Sequence, residues 1–90
     1  MKIKLHPRFK KNYKIRIALN QKLSLQTKER ISLFRTDPNN PLLKDHTLTG
    51  TKKGLRSFSI TGDIRVIYQP PMSEADEVIF YDIGSHNQVY

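Results

Sequence analysis

The apolar residues of this 90-residue chain change their spacing once, and that change limits the folds that the chain can adopt. Before residues 37–41, Asp-Pro-Asn-Asn-Pro, they recur at helical intervals; from Leu48 onward they follow the spacing of strands. The prolines stop a helix because a residue before proline is pushed out of the helical region. A chain of this size forms one domain, residues 1–90, and buries only about 60% of its unfolded surface. We therefore expect an α+β domain with helices packed on one sheet face.

Two helices are predicted before the proline segment. Pro7 suits the first position of the first helix, where its missing N–H costs no hydrogen bond. The second helix is predicted from about Asn20 to Arg35. The residues expected to pack on the sheet share a helical spacing: they are Phe9, Tyr13, Ile17, Leu23, Ile31 and Phe34.

The strand prediction begins with a short strand around Ile3 and Leu5, which has one apolar face. Three later segments are rich in β-branched and aromatic residues: Leu55–Ser59, Asp63–Gln69 and Glu77–Ile83. The residues 70–76 are expected to form a hairpin loop. The predicted order is β-α-α-β-β-β, with an antiparallel sheet and a short turn after the last strand.

The register of the first hairpin can also be predicted. A three-residue loop at 60–62, with its glycine in the left-handed region, places Ser59 opposite Asp63 and Ser57 opposite Arg65. A slip of one residue would reverse every side chain, so the apolar pattern favours this choice. Asp63 and Arg65 would then project from the same open face.

The charge is distributed unevenly within a formal net charge of +8. Residues 1–36 hold eleven Lys/Arg against one acid, a balance of +10, and residues 37–90 hold five against seven, a balance of −2. A basic half of this kind favours an anionic partner, although a solvated lysine-rich helix face is the alternative. Cysteine is absent, which excludes disulfides and thiolate metal sites. No apolar run is long enough for a membrane span, so we expect a soluble, cytoplasmic protein.

Two stretches near the end of the chain concentrate residues suited to phosphate chemistry on a nucleic acid. Gly62–Tyr68 contains Asp63 and Arg65, and Ile83–Tyr90 contains His86. Arginine offers a fixed fork of donors to phosphate oxygens, and histidine can act as acid or base near neutral pH. A surface histidine and an arginine paired with Asp63 are the structural alternatives.

These stretches, together with Lys44-Asp45-His46 and in this order, resemble the RelE/YafQ toxins of the RelE/ParE superfamily. The resemblance runs over nearly the whole chain. It implies a ribosome-dependent endoribonuclease that cuts mRNA in the A site through attack by the 2′-hydroxyl. It also implies an acidic cognate antitoxin as partner, with the ribosome and mRNA as targets.

The resemblance also implies roles for individual residues. Arg65 would stabilise charge at the scissile phosphate, His86 would transfer a proton, and Tyr90 would stack on a base or orient a group. His46 would supply a second active-site histidine. Asp63 matches an active-site acid, although capping of the hairpin turn is its alternative role. Six basic residues are predicted to contact RNA, three from charge and three from the resemblance: Lys10, Lys11, Lys14, Lys52, Lys53 and Arg56.

One departure from the family pattern stands at Ser59, where some YafQ-like enzymes have another histidine. Ser59 does not titrate near neutral pH, so the catalytic set is expected to be smaller. The three histidines lack the spacing of metal ligands, and neither a metal nor a cofactor is expected. Two other functions stay open: a ParE-like toxin that poisons gyrase, and a plain nucleic-acid-binding module.

Overall fold

The structure is a computed structural model that describes residues 1–72 and 76–90. Among them one sheet has the strand order β1-β5-β4-β3-β2. Its strands are β1 (Lys2–Leu5), β2 (His46–Thr47), β3 (Arg56–Ser59), β4 (Ile64–Gln69) and β5 (Glu77–Ser85). The helices are α1 (Pro7–Arg16), α2 (Gln21–Thr36) and α3 (His86–Val89), with 3₁₀ turns at Pro41–Leu43 and Gly50–Lys52. The predicted α+β fold is confirmed. Part of the predicted loop at 70–76 lies outside the described residues.

Two features of the sheet go beyond the prediction. The two-residue strand β2 was not predicted, and β1 runs parallel to β5, whereas the other neighbouring strands are antiparallel. Hairpins force antiparallel pairing between successive strands, but β1 is separated from the others by two helices and is free of that constraint. Its apolar face is only partly covered: Ile3 packs against the core, and Leu5 is exposed.

Both long helices begin at side-chain caps. The Nδ1 atom of His6 accepts a hydrogen bond from the Arg8 N–H at 3.0 Å, and Pro7 occupies the first turn as predicted. The Oδ1 atom of Asn20 accepts from the Leu23 N–H at 3.0 Å, which starts α2. No helix of the described residues is long and apolar enough to cross a membrane.

The core lies between the two helices and one face of the sheet, as predicted. Phe9, Ile17 and Phe34 are fully buried, and the other three predicted residues pack against them: Tyr13, Leu23 and Ile31. The Phe34 ring stacks on Phe58 of β3 with 4.5 Å between centroids. Aromatic pairs of this kind fix the position of α2 over the sheet.

The predicted register of the first hairpin is wrong by two residues. Ser59 lies opposite Arg65 rather than Asp63, and Ser57 lies opposite Ile67. The loop is wider because the Thr61 Oγ1 accepts from the N–H groups of Asp63 and Ile64, at 3.2 and 3.0 Å. Gly62 does not adopt the left-handed conformation. Because the shift is an even number of residues, each side chain of the strands keeps its predicted face.

An irregularity between β4 and β5 changes which residues of β5 face the core. Ile67 pairs with Asp82, but Tyr68 pairs with Phe80, so one residue of β5 is left over. Before this bulge the core residues of β5 are Val78 and Phe80; after it the core residue is Ile83. The bulge therefore changes which alternate residues of β5 face the core just before α3 begins.

Candidate active site

Two of the other predicted catalytic residues, Arg65 and His86, meet at Tyr90. The Arg65 Cζ atom lies 5.6 Å from the centroid of the Tyr90 ring. The His86 ring lies 4.6 Å from the same ring, with an interplanar angle of 74°. His86 and Tyr90 stand four residues apart across the single turn of α3, which is the spacing that places side chains on one helix face.

Arg65 keeps hydrogen-bonding capacity for a ligand. It lies half-buried on β4, where its strand partners are Ser59 and Gly84. Its Nη2 donates to the Gly62 carbonyl at a long 3.4 Å, and its buried Nε has no hydrogen-bond partner among the described residues. The alternative of an ion pair with Asp63 is not found in this part of the chain. A buried donor without a partner is costly, and an anion at this position would satisfy it.

His46, Lys52 and Tyr90 line one cavity of about 340 Å³. Tyr90 therefore connects the two histidines to the same region. The rest of the cavity wall comes from β2, from the Gly50–Lys52 turn and from the two residues between them: Thr47, Leu48, Thr49 and Thr51. Its size is at the lower end of the range for small-ligand pockets, about 300–1,000 Å³. Tyr90 therefore contacts Arg65 and His86, and it also lines the cavity whose wall includes His46.

The tautomer of His46 follows from its contact with the backbone. Its Nδ1 lies 2.9 Å from the Lys44 carbonyl oxygen, and Lys44 adopts the left-handed conformation with φ of 49°. A carbonyl oxygen can only accept, so Nδ1 carries a proton, and Nε2 is the nitrogen left free to accept one in the neutral form of the ring. That arrangement suits a general base.

Asp45 fixes the segment that carries His46. Its Oδ1 accepts from the Arg56 Nε at 2.8 Å, and its Oδ2 accepts from the Tyr68 hydroxyl. Burial, together with the hydrogen bond to Asp45, raises the pKa of Tyr68 well above its ordinary value. The hydrogen bond to Asp45 also raises the pKa of Arg56. Arg56, predicted to contact RNA, is thus engaged in an ion pair with Asp45.

The remaining predicted residues lie apart from Tyr90. The Asp63 side chain is exposed at the hairpin turn, and within the described residues no contact joins its carboxylate to Arg65, His46 or His86. Lys53 is exposed beside the Gly50–Lys52 turn. The three lysines predicted to anchor RNA are exposed along α1: Lys10, Lys11 and Lys14.

No three His, Asp or Glu side chains among residues 1–72 and 76–90 are close enough together to hold a metal ion. The candidate site gathers one arginine, two histidines, a tyrosine and a lysine.

A sequence profile described as the bacterial toxin of a type II toxin–antitoxin system, YafQ, matches residues 1–90. The chain belongs to the YafQ family.

Solved structures agree with this assignment. A point mutant of YafQ from E. coli has a TM-score of 0.80 at 22% identity and covers 98% of this chain and 96% of its own. A metal-bound toxin from Helicobacter pylori has a TM-score of 0.76 at 27% identity, covering 100% and 99%. The E. coli DinJ–YafQ toxin–antitoxin complex has a TM-score of 0.73 at 26% identity, covering 98% and 94%. None of the curated proteins matches the chain significantly.

Two features of this YafQ-family site were not anticipated from the sequence. The buried Asp82 is held by α1: Asn12 donates to it at 2.7 Å, and Arg8 and Arg16 lie 3.3 and 3.5 Å away. An aspartate inside an apolar strand was the available signal, because a buried carboxylate needs partners. The second feature is a cap between Ser85 and Gln88, whose Ser-x-x-Gln pattern was present in the sequence.

Proposed function

We propose that this YafQ-family toxin is a ribosome-dependent endoribonuclease that cuts mRNA in the ribosomal A site. The observation that carries this proposal is the arrangement around Tyr90, which contacts Arg65 and His86 and borders the cavity that holds His46 and Lys52. A protein that acts only by binding another protein has no need for two histidines and an unpaired arginine donor around one aromatic ring.

We assign the steps of the reaction to these groups as follows. His46 Nε2 removes the proton of the 2′-hydroxyl, and the 2′-oxygen forms a bond to phosphorus while the bond from phosphorus to the 5′-oxygen breaks. Arg65 donates to the phosphate oxygens as charge builds on them. His86 gives a proton to the departing 5′-oxygen. The products are a 2′,3′-cyclic phosphate and a free 5′-hydroxyl.

Tyr90 provides a face for stacking a base next to the scissile phosphate. Lys52, on the cavity wall, and the exposed Lys53 contact the RNA backbone near the cut. Asp63 stays a predicted member of the site, since its exposed carboxylate stands two residues before Arg65. Arg56 is assigned a different role, which is to hold Asp45 and through it the His46 segment.

The exposed lysines of α1 are proposed as the anchor to ribosomal RNA: Lys10, Lys11 and Lys14. Contacts to phosphates release counterions, so binding to ribosomes should weaken steeply between about 50 and 200 mM salt. A triple replacement by glutamine should flatten this salt dependence. An unchanged profile would remove α1 from the interface.

The proposed protein partner is a cognate antitoxin. The E. coli DinJ–YafQ complex supports this, at 26% identity to the present chain. The basic balance of residues 1–36 favours an acidic antitoxin that covers part of this half. The proposed ribosomal target and antitoxin imply that the protein acts in the cytoplasm.

The deciding experiment incubates purified protein with translating ribosomes and maps the mRNA ends at nucleotide resolution. Wild type should produce A-site cuts with cyclic phosphate ends, and Arg65→Ala should lower the single-turnover rate about 10²–10³-fold. Arg35→Ala, which removes an exposed arginine of α2, is the matched control and should cut normally. If wild type arrests growth but cuts no mRNA, the ParE-like gyrase poison replaces this proposal.

The mechanism above uses no divalent ion, and a relative from Helicobacter pylori is described as metal-bound, so this point needs its own test. Cleavage of mRNA on a stabilised ribosome complex should survive a chelator. Loss of cleavage that trace Mn²⁺ or Zn²⁺ restores would contradict the metal-free mechanism.

A further inference from the structure

His86 begins the helix α3 and Tyr90 directly follows its last residue, yet α3 is a single turn of four residues. Helices this short are unstable in isolation, because the free-energy cost of nucleating a helix exceeds the stabilisation that a single turn of hydrogen bonds provides. The orientation of two catalytic side chains therefore depends on whatever holds this turn in place.

The turn is held first by a reciprocal cap. The Ser85 Oγ accepts from the Gln88 N–H at 3.3 Å, and the Gln88 Oε1 accepts from the Ser85 N–H at 2.8 Å. The buried side chain of Val89 anchors the same turn. The second of these hydrogen bonds depends entirely on the side chain of Gln88.

The Gln88 side chain also closes over the end of β5. A Cβ at Gly84 would lie 2.7 Å from the Gln88 Oε1 and 2.8 Å from the Arg16 Nη1, so a side chain larger than glycine would displace one of them. Arg16 reaches this point from α1 and donates to the Ile83 carbonyl at 3.0 Å. Gly84 is also the strand partner of Arg65. Gln88 thus touches the strand position that faces the catalytic arginine.

We infer that Gln88 is a positioning residue of the active site, which fixes α3 so that His86 and Tyr90 meet Arg65. The inference rests on the proposed function for its consequence in catalysis. Gln88 does not touch the reacting atoms. Its amide oxygen determines the direction in which α3 leaves β5, and through that direction the relative positions of Arg65, Tyr90 and His86.

The test compares three variants in single-turnover mRNA cleavage. Gln88→Ala removes the acceptor, and because misplacement by about 1 Å can cost about 10²-fold, its rate should fall about 10–100-fold with little change in KM. Gln88→Glu keeps an acceptor at the position where capping boxes use glutamate, and should restore most of the rate. Asn87→Ala, which alters an exposed residue of the same turn, is the matched control and should behave as wild type.

A second measurement does not depend on activity. In the wild type, ring protons of His86 and Tyr90 should show a nuclear Overhauser effect, because the rings lie 4.6 Å apart. The signal should vanish in Gln88→Ala and persist in Gln88→Glu and Asn87→Ala, with circular dichroism unchanged throughout.

These two arms separate the failure of this inference from the failure of the proposed function. If wild type cuts no RNA, the proton contacts still decide whether Gln88 sets the geometry of α3. A Gln88→Ala variant that keeps the contact overturns the inference whatever its rate. Loss of the contact in Gln88→Glu overturns it as well.

Discussion

The two histidines of the site stand on segments that are held in opposite ways. His46 follows Asp45, whose carboxylate is bound by Arg56 of β3 and Tyr68 of β4. His86 stands on α3, whose bonds lie mostly within its own turn. The first segment is thus part of the tertiary structure, and the second is a local structure anchored to it by the buried Val89.

This difference predicts different consequences when each anchor is broken. Removing Asp45 leaves two groups of the sheet without a partner, which affects the free energy of unfolding of the whole domain. Removing the cap of α3 frees one terminal turn, and such local openings cost far less than global unfolding. We therefore expect His46 to be misplaced only when the domain unfolds. His86 can be misplaced while the rest of the domain stays folded.

The largest expected effect comes from the histidines themselves. His46→Ala and His86→Ala should each lower the single-turnover cleavage rate by about 10²–10⁴-fold, the usual contribution of a general base or acid. The pH–rate profile separates them: His46→Ala should lose the acid-side limb, and His86→Ala the alkaline-side limb. Exchange of these two outcomes would reverse the assignment of base and acid. Full activity of both variants would place the site elsewhere.

The next effect concerns stability. Asp45→Ala should lower the free energy of unfolding by about 1.5–3 kcal/mol, as expected for hydrogen bonds that involve a charged group. Asp63→Ala removes an exposed carboxylate and is the matched control, with a change within about 0.5 kcal/mol. Urea denaturation measures both. Equal stability of the two variants would show that the His46 segment is held no more firmly than an exposed loop.

A smaller effect is expected from Tyr68→Phe, which keeps the buried ring and removes the hydroxyl. The loss should be about 1 kcal/mol near neutral pH. Because burial raises the pKa of Tyr68 in the folded state, the unfolded chain releases this proton first, near the ordinary value of 10.0. Folding stability should therefore fall as the pH rises through that value. Tyr68→Phe should show a flatter decline in urea titrations above about pH 10; an equally steep decline would contradict this account.

The smallest effect is expected from Ser59→Ala. Ser59 lies opposite Arg65, in the position where the family resemblance suggests another histidine in some members. Since serine supplies no proton donor or acceptor that titrates near neutral pH, the cleavage rate should stay near that of wild type. A large loss in single-turnover cleavage would instead make its hydroxyl part of the phosphate site.

The fold was predictable where a repeating pattern determined it. Helical spacing identified the buried residues Phe9, Ile17 and Phe34, and strand alternation gave the correct faces of β3 and β4. The register failed because one side chain, Thr61, closes a wider loop than the glycine suggested. The strand β2 was missed because two residues carry no alternation to detect.

The proximity of three candidate residues was predictable from the sequence, whereas the contacts that support them were not. Arg65, His86 and Tyr90 lie together as the motifs implied, whereas Asp63 lies apart. Asp45 finds its partners 11 and 23 residues away, and nothing in the spacing of the sequence indicates such a pairing. Gln88 differs, because its cap is local and its pattern could have been recognised.

The place of β5 in the sheet has a consequence for the order of folding. It is the last described strand in the sequence, yet it lies between β1 and β4, and its parallel pairing joins Lys2 to Glu77. Contacts between such distant residues form slowly because a long loop must close first. During synthesis neither β1 nor the free edge of β4 can pair with β5 until residues 77–85 have emerged from the ribosome. The sheet of the nascent chain therefore stays incomplete until residues 77–85, which directly precede His86, have been synthesised.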